Sequence, residues 1–282
     1  AWREGQRRGV TLTDAGRISV PASDARVREV LWEPADLLPD WINQGRENYE
    51  PRLSGDGRTL LFVRGKAGGG ADLYAAELGA GADLGAWGEA FPLEGVNTPD
   101  ADELGGVLSA DGRTLYFYSD RAGGLGGYDL WMCHRLTGSE AAIGVAGDPR
   151  EGGTEGQGAP MAGAASLRGA IWSPPENLGP AVNSPYNDYG PAPSPDGSAI
   201  YFSSNRPAPD EDVADEGRAW PATVREDQTR RDYDLYAAPM TERGLGEAAR
   251  MEALSTPFND GTPAVSRPGD FLYFASDRPG GA

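Results

Sequence analysis

The 282-residue sequence predicts an all-β fold made by repeating one small sheet unit. Three observations predict it. Four segments share one residue pattern. Each segment holds two short apolar runs joined by a Gly/Asp turn, the signature of a hairpin. No stretch carries the sustained 3.6-residue period of a long helix. The 41 Gly and 23 Pro agree, because turns consume both residues.

The pattern is keyed to a serine, at Ser54, Ser109, Ser194 and Ser266. Eight residues on stands a phenylalanine: Phe62, Phe117, Phe202 and Phe274. Twelve residues on stands a base: Lys66, Arg121, Arg206 and Arg278. Six residues before stand Asn48, Glu103, Asp188 and Asp260. Trp32, Trp87 and Trp172 lie 22 residues before the first three serines.

The elements follow in order. A first strand runs into the serine, and a turn such as Pro195-Asp196-Gly197 reverses the chain. A second, aromatic strand is predicted over 60–63, 115–118, 200–203 and 272–275. A Gly-rich loop leads to a third strand at 72–74, 129–131 and 234–236. The tryptophan-centred stretch supplies a fourth. Four short antiparallel strands, repeated, describe the blade of a β-propeller. The phenylalanines and tryptophans are expected inside and between blades.

Domain organisation follows from the spacing. The serines are separated by 55, 85 and 72 residues, so a unit of about 55 carries two insertions, 139–170 and 207–231. Neither insertion has a hydrophobic period, and both read as loops on opposite faces. Residues 1–31 form an N-terminal β segment, either a degenerate blade or a strand that closes the ring. Residues 32–282 are the propeller repeats. The fourth unit stops before its third strand, so the chain is expected to be an excerpt of a longer one.

The run Asn187-Asp188 through Ser194-Pro195-Asp196-Gly197, Tyr201-Phe202 and Ser204-Asn205-Arg206, followed by Tyr233-Asp234-Leu235-Tyr236, resembles the WD40-like propeller repeat of the TolB type. Unit one departs from it, with Val63-Arg64-Gly65-Lys66 in place of the Ser-Asp/Asn-Arg signature. The resemblance implies a periplasmic or cell-envelope location in bacteria. The same repeat also occurs in propellers attached to peptidases, lyases and peptidoglycan-binding domains, so it implies a fold more firmly than an activity.

Composition narrows the chemistry. A net charge of −18 argues against nucleic acid as partner, and no run reaches the ~18 apolar residues of a membrane span. Cys133 and His134 are the only cysteine and histidine. There is no Gly-x-Ser-x-Gly, and strand neighbours such as Cys133 and His134 point to opposite faces. No catalytic residue and no cofactor is assigned. Calcium is the one metal considered, because Glu47, Asp102, Glu103, Asp188 and Asp260 recur at loop positions, although no contiguous calcium loop is present.

The start of each first strand and the turn between second and third strands share one end of a blade. Asn48, Glu103, Asp188 and Asp260 are therefore expected on one rim with Lys66, Arg121, Arg206 and Arg278. The rim either ties the ring together or binds a partner. The expected function is a non-catalytic binding or scaffolding propeller recognising a protein, a glycan or a peptidoglycan-associated component. The alternative is the propeller of an enzyme, either a carboxylate glycosidase or the gating domain of a peptidase whose catalytic domain lies elsewhere.

Overall fold

The computed structural model describes residues 11–12, 18–19, 37–45, 47–79, 86–137, 166–207, 232–242 and 244–279. Trp32 and most of both insertions, 138–165 and 208–231, lie outside the described residues.

The described residues are all-β, in antiparallel sheets. A short ribbon pairs β1 (Thr11–Leu12) with β2 (Ile18–Ser19). The first large sheet runs β3 (Asn48–Leu53), β4 (Thr59–Arg64), β5 (Asp72–Glu77), β6 (Phe91–Pro92). The second runs β7 (Glu103–Leu108), β8 (Thr114–Ser119), β9 (Asp129–Leu136), with β10 (Ile171–Trp172) and β11 (Glu176–Asn177) both on β9. The third repeats this with β12 (Asp188–Pro193), β13 (Ala199–Ser204), β14 (Asp234–Thr241), β15 (Gly244–Leu245) and β16 (Ala249–Arg250). The fourth holds β17 (Asp260–Val265) and β18 (Leu272–Ser276).

The keyed serine locks each hairpin. Ser54 Oγ donates to Asp56 Oδ1 at 2.6 Å and accepts Thr59 N at 2.9 Å. Ser109 repeats both bonds with Asp111 and Thr114. In the fourth sheet Ser266 Oγ donates to Asp270 and accepts Phe271 N. Each serine thus has a turn-building task.

The tryptophan stretch belongs one sheet earlier than its spacing suggests. Trp87 bridges Leu78 at the outer edge of the first sheet, and Trp172 pairs with Arg135 of β9 in the second. The serine-keyed unit therefore starts on the outer edge of one sheet and ends inside the next. Both tryptophans are buried, as are Phe62, Phe117 and Phe202. Phe274 is only half-buried, because β18 has no third strand beside it among the described residues.

One apolar cluster joins the first three sheets, through Leu73, Leu104, Phe117, Leu130 and Phe202. The end of the 139–170 insertion is part of it. Leu167 is buried in the cluster and Ser166 Oγ donates to Glu77 at 2.6 Å, so 166–170 is packed structure and not free loop. The chain leaves β9 at the serine-turn end and leaves β13 at the opposite end, so the two insertions attach at opposite ends of their sheets.

Every first strand carries a bulge after its second residue, where the register shifts. The third residue of each is left-handed: Glu50 (φ 52°), Gly105 (60°), Gly190 (65°) and Thr262 (50°). Glycine fits this conformation freely, and a Cβ at Gly105 would fall 2.5 Å from the Tyr118 ring. Glu50 and Thr262 hold it against their own Cβ. In three of the four strands a proline follows: Pro51, Pro191 and Pro263.

Thr262 is β-branched and exposed, so its backbone strain has no compensating side-chain burial. Thr262→Gly is expected to stabilise the fold by about 1 kcal/mol. Urea unfolding checks this, and a loss of stability would mean that the Thr262 side chain anchors the bulge.

Candidate functional site

Three of the four acid–base pairs expected on one rim are bonded to each other. Arg121 Nη2 donates to Glu103 Oε1 at 2.8 Å and to Val96 O at 2.8 Å, while its Nε donates to Ser119 Oγ. Arg206 does the same with Asp188 (2.7 Å), Val182 O (2.5 Å) and Ser204 Oγ (2.8 Å). Arg278 does so with Asp260, Leu254 O and Ser276 Oγ. The acids are further held by the loop before them. Thr98, Ser184 and Thr256 each donate backbone N–H and hydroxyl to Glu103, Asp188 and Asp260. The three acids are 0% exposed.

Each guanidinium also lies over the phenylalanine of its second strand. Arg121 is 4.7 Å from Phe117, Arg206 5.5 Å from Phe202 and Arg278 5.3 Å from Phe274. Trp131 and Tyr236, from third strands, flank Arg121 and Arg206 on the way. Burial pushes the Glu103 carboxyl above the ordinary range even with Thr98 and Arg121 bonded to it. At Asp260 burial also pushes upward, but bonds from Ser276, Thr256 and Arg278 prevail and hold the group below its ordinary value.

In the first sheet the base of the tie is Arg64 and not the expected Lys66. Lys66 is exposed, and Arg64, two residues earlier, makes the tie. Its Nε donates to Asn48 Oδ1 at 3.1 Å, its Nη2 to Ile42 O at 2.7 Å, and it lies 4.4 Å from the Tyr74 ring. Asn48 is neutral, so this joint has no ion pair. The signal was present as the arginine that ends the aromatic strand, but it stands out of phase with the other three.

A second tie couples neighbouring sheets. Asn97 and Asn183 each donate to and accept from the backbone of a third-strand leucine, Leu73 and Leu130, at 2.8–3.0 Å. Asp102, weighed in the sequence as a calcium ligand, accepts backbone N–H from Gly70 and Ala71 of the first sheet and the Tyr128 hydroxyl at 2.6 Å. Among the described residues no group of three or more His, Cys, Asp or Glu side chains converges.

The candidate nucleophile and base stand apart. Cys133 is buried, and burial pushes its thiol up to about 12. His134 is exposed at the end of β9, 3.2 Å from Thr114 Oγ1.

The outer edge of the first strands was not singled out by the sequence. All four face one cavity of about 550 Å³ at the serine-turn end. Its lining repeats by register. Two positions before the keyed serines stand Arg52, Val107, Ala192 and Ala264; one position after stand Gly55, Ala110, Pro195 and Arg267. Arg52 Nη2 reaches across to Pro263 O at 3.1 Å, linking the first and fourth sheets. Burial lowers the pKa of Arg52, with Glu50 and Tyr118 opposing.

Beside this floor lies Glu50. Tyr118 OH donates to its Oε1 at 2.7 Å, while its Oε2 is enclosed and makes no hydrogen bond among the described residues. Burial pushes the Glu50 carboxyl above its ordinary range. A chain of edge-to-face rings, Tyr128–Tyr118–Tyr189–Tyr233, with centroids 5.6, 5.8 and 4.5 Å apart, spans the second and third sheets behind it.

No family model matches the sequence, and no curated protein matches it. Solved structures similar to the chain include TolB from Acinetobacter baumannii (12% identity, 84% of this chain and 39% of that one, TM-score 0.45). A putative TolB from Agrobacterium tumefaciens is similar at 17% identity, covering 95% of this chain and 69% of that one, with a TM-score of 0.44. A puromycin-hydrolyzing peptidase of Mycobacterium tuberculosis is also similar, at 13% identity over 98% of this chain and 34% of that one, with a TM-score of 0.39. The chain thus spans well under half of the Acinetobacter TolB and of the peptidase.

Two measurements probe the site. Arg206→Ala strands the buried Asp188 charge and is expected to cost about 3–5 kcal/mol in urea unfolding. Arg64→Ala should also destabilise, while Lys66→Ala leaves stability within about 0.5 kcal/mol; the reverse order would restore Lys66 to the frame.

For Glu50 the sign follows from its raised pKa. The folded state keeps the proton where the unfolded chain has lost it, so the charge lowers stability as pH rises and costs nothing below the ordinary glutamate range. Relative to wild type, Glu50→Gln should therefore gain stability as pH rises above about 4, the ordinary glutamate range. A pH-independent difference would show that Glu50 titrates normally.

Proposed function

We propose that this chain is the ligand-recognising, non-catalytic propeller of a bacterial envelope protein, and that its working surface is the cavity at the serine-turn end. One observation carries this reading. The frame positions keep one chemistry through three joints, whereas the cavity positions change residue from sheet to sheet. A scaffold that repeats its ties and varies its lining suits recognition. The rim acids are buried and saturated by donors, which favours a tying role for Glu103, Asp188 and Asp260 over contact with a basic partner. The envelope location rests on the repeat resemblance alone. Partners under this reading are a protein or a peptidoglycan-associated component. A gating role for a peptidase would use the same cavity for passage.

The test is cavity filling. Ala264→Trp places an indole among Val107, Ala192 and Arg52 without touching the frame. Wild type and variant are compared on arrays of envelope peptides and glycans, with melting temperature as control. Binding that the variant loses at unchanged melting temperature supports the reading. Binding that survives the filled cavity, or hydrolysis of any array member, overturns it.

A further inference from the structure

The cavity breaks its own symmetry in one chemical direction. At the position two before the keyed serine, three sheets supply Val107, Ala192 and Ala264, and the first supplies Arg52. At the position one after, three sheets supply Gly55, Ala110 and Pro195, and the fourth supplies Arg267. In a chain of net charge −18, the only ionisable residues lining the cavity among the described residues are two arginines.

Arg52 differs from the frame arginines. Arg121, Arg206 and Arg278 each pair with a carboxylate. Among the described residues Arg52 has no ion pair, and its guanidinium donates one hydrogen bond, to the Pro263 carbonyl. Glu50, two residues away, attracts Arg52 electrostatically but bonds Tyr118 through Oε1 and forms no ion pair with the guanidinium among the described residues. The aspartates of the turns around the mouth are engaged by donors of those turns: Asp56, Asp111, Asp196 and Asp270 accept from Ser54, Ser109, Ser198 and Ser266. A half-buried guanidinium with spare N–H groups, at the floor of a cavity walled by Val, Ala, Pro and Leu, is matched by a carboxylate on an apolar stem.

We propose that Arg52 anchors a carboxylate, and that the cavity receives the free C-terminal end of an apolar peptide. This rests on the cavity being the binding surface. Arg267 is exposed at the mouth and adds a weaker, screened attraction. The prolines Pro51, Pro191 and Pro193 along the wall offer no N–H for pairing with a strand, so the peptide end is held by its carboxylate and its side chains and not by ladder addition.

The experiment is calorimetric titration of the whole chain with an N-acetylated Ala-Val-Pro-Leu peptide as free acid, the same peptide as C-terminal amide, and octanoate. The acid is expected to bind at least ~10-fold more tightly than the amide, a preference that falls with salt. Arg52→Gln should erase the preference and Arg52→Lys should keep part of it, with circular dichroism confirming that both fold. Octanoate binding as tightly as the peptide acid would support the carboxylate anchor but overturn the peptide as its source. Equal binding of acid and amide, a preference that survives Arg52→Gln, or no binding of any probe overturns the anchor. If acid and amide bind equally and Ala264→Trp abolishes both, the anchor fails while the cavity reading stands.

Discussion

The structure depends on a buried acid held by an arginine at the start of the first strand in three of its four large sheets. Glu103, Asp188 and Asp260 are sealed from solvent, which would be costly for an unpaired charge. Each is repaid by a guanidinium, a backbone N–H and a hydroxyl. The arginine in turn reaches the carbonyl of the loop before the strand and rests on the second-strand phenylalanine. One side chain thereby fixes a loop, two strands and an aromatic core residue together. The asparagines Asn97 and Asn183 and the acid Asp102 extend this hold from each sheet to the one before it.

Much of the fold was legible in the sequence because these ties need fixed residue types at fixed separations. A serine that closes a turn, a phenylalanine that enters the core and an arginine that returns to an acid repeat whenever the sheet repeats. The misreadings have physical causes. Lys66 matched the spacing, but a guanidinium two residues earlier can reach the same carbonyl position from the strand itself, as Arg64 does. The tryptophans kept their distance from the serine yet sit on the preceding sheet, since a spacing says nothing about which edge a strand joins. Leu167 lay in a Gly- and Ala-rich stretch whose composition hid a single core residue.

The cavity was illegible for the opposite reason. Its lining has no motif, because Arg52, Val107, Ala192 and Ala264 share only a register. A repeat alignment weights what recurs and passes over what varies. The left-handed bulge was hidden too: Gly105 and Gly190 suggest it, but Glu50 and Thr262 adopt the same backbone without a glycine to announce it.

The bulges and the prolines after them have a further consequence. Among the described residues each first strand presents one unpaired edge, and the four first strands line one cavity. Straight edges of that kind zip together into a continuous ladder. Here the bulge turns the edge out of line, and Pro51, Pro191 and Pro263 remove the donor that a ladder would use next. The opening between the sheets is therefore kept open by chemistry written into the strands that border it, and its walls cannot close on each other by pairing.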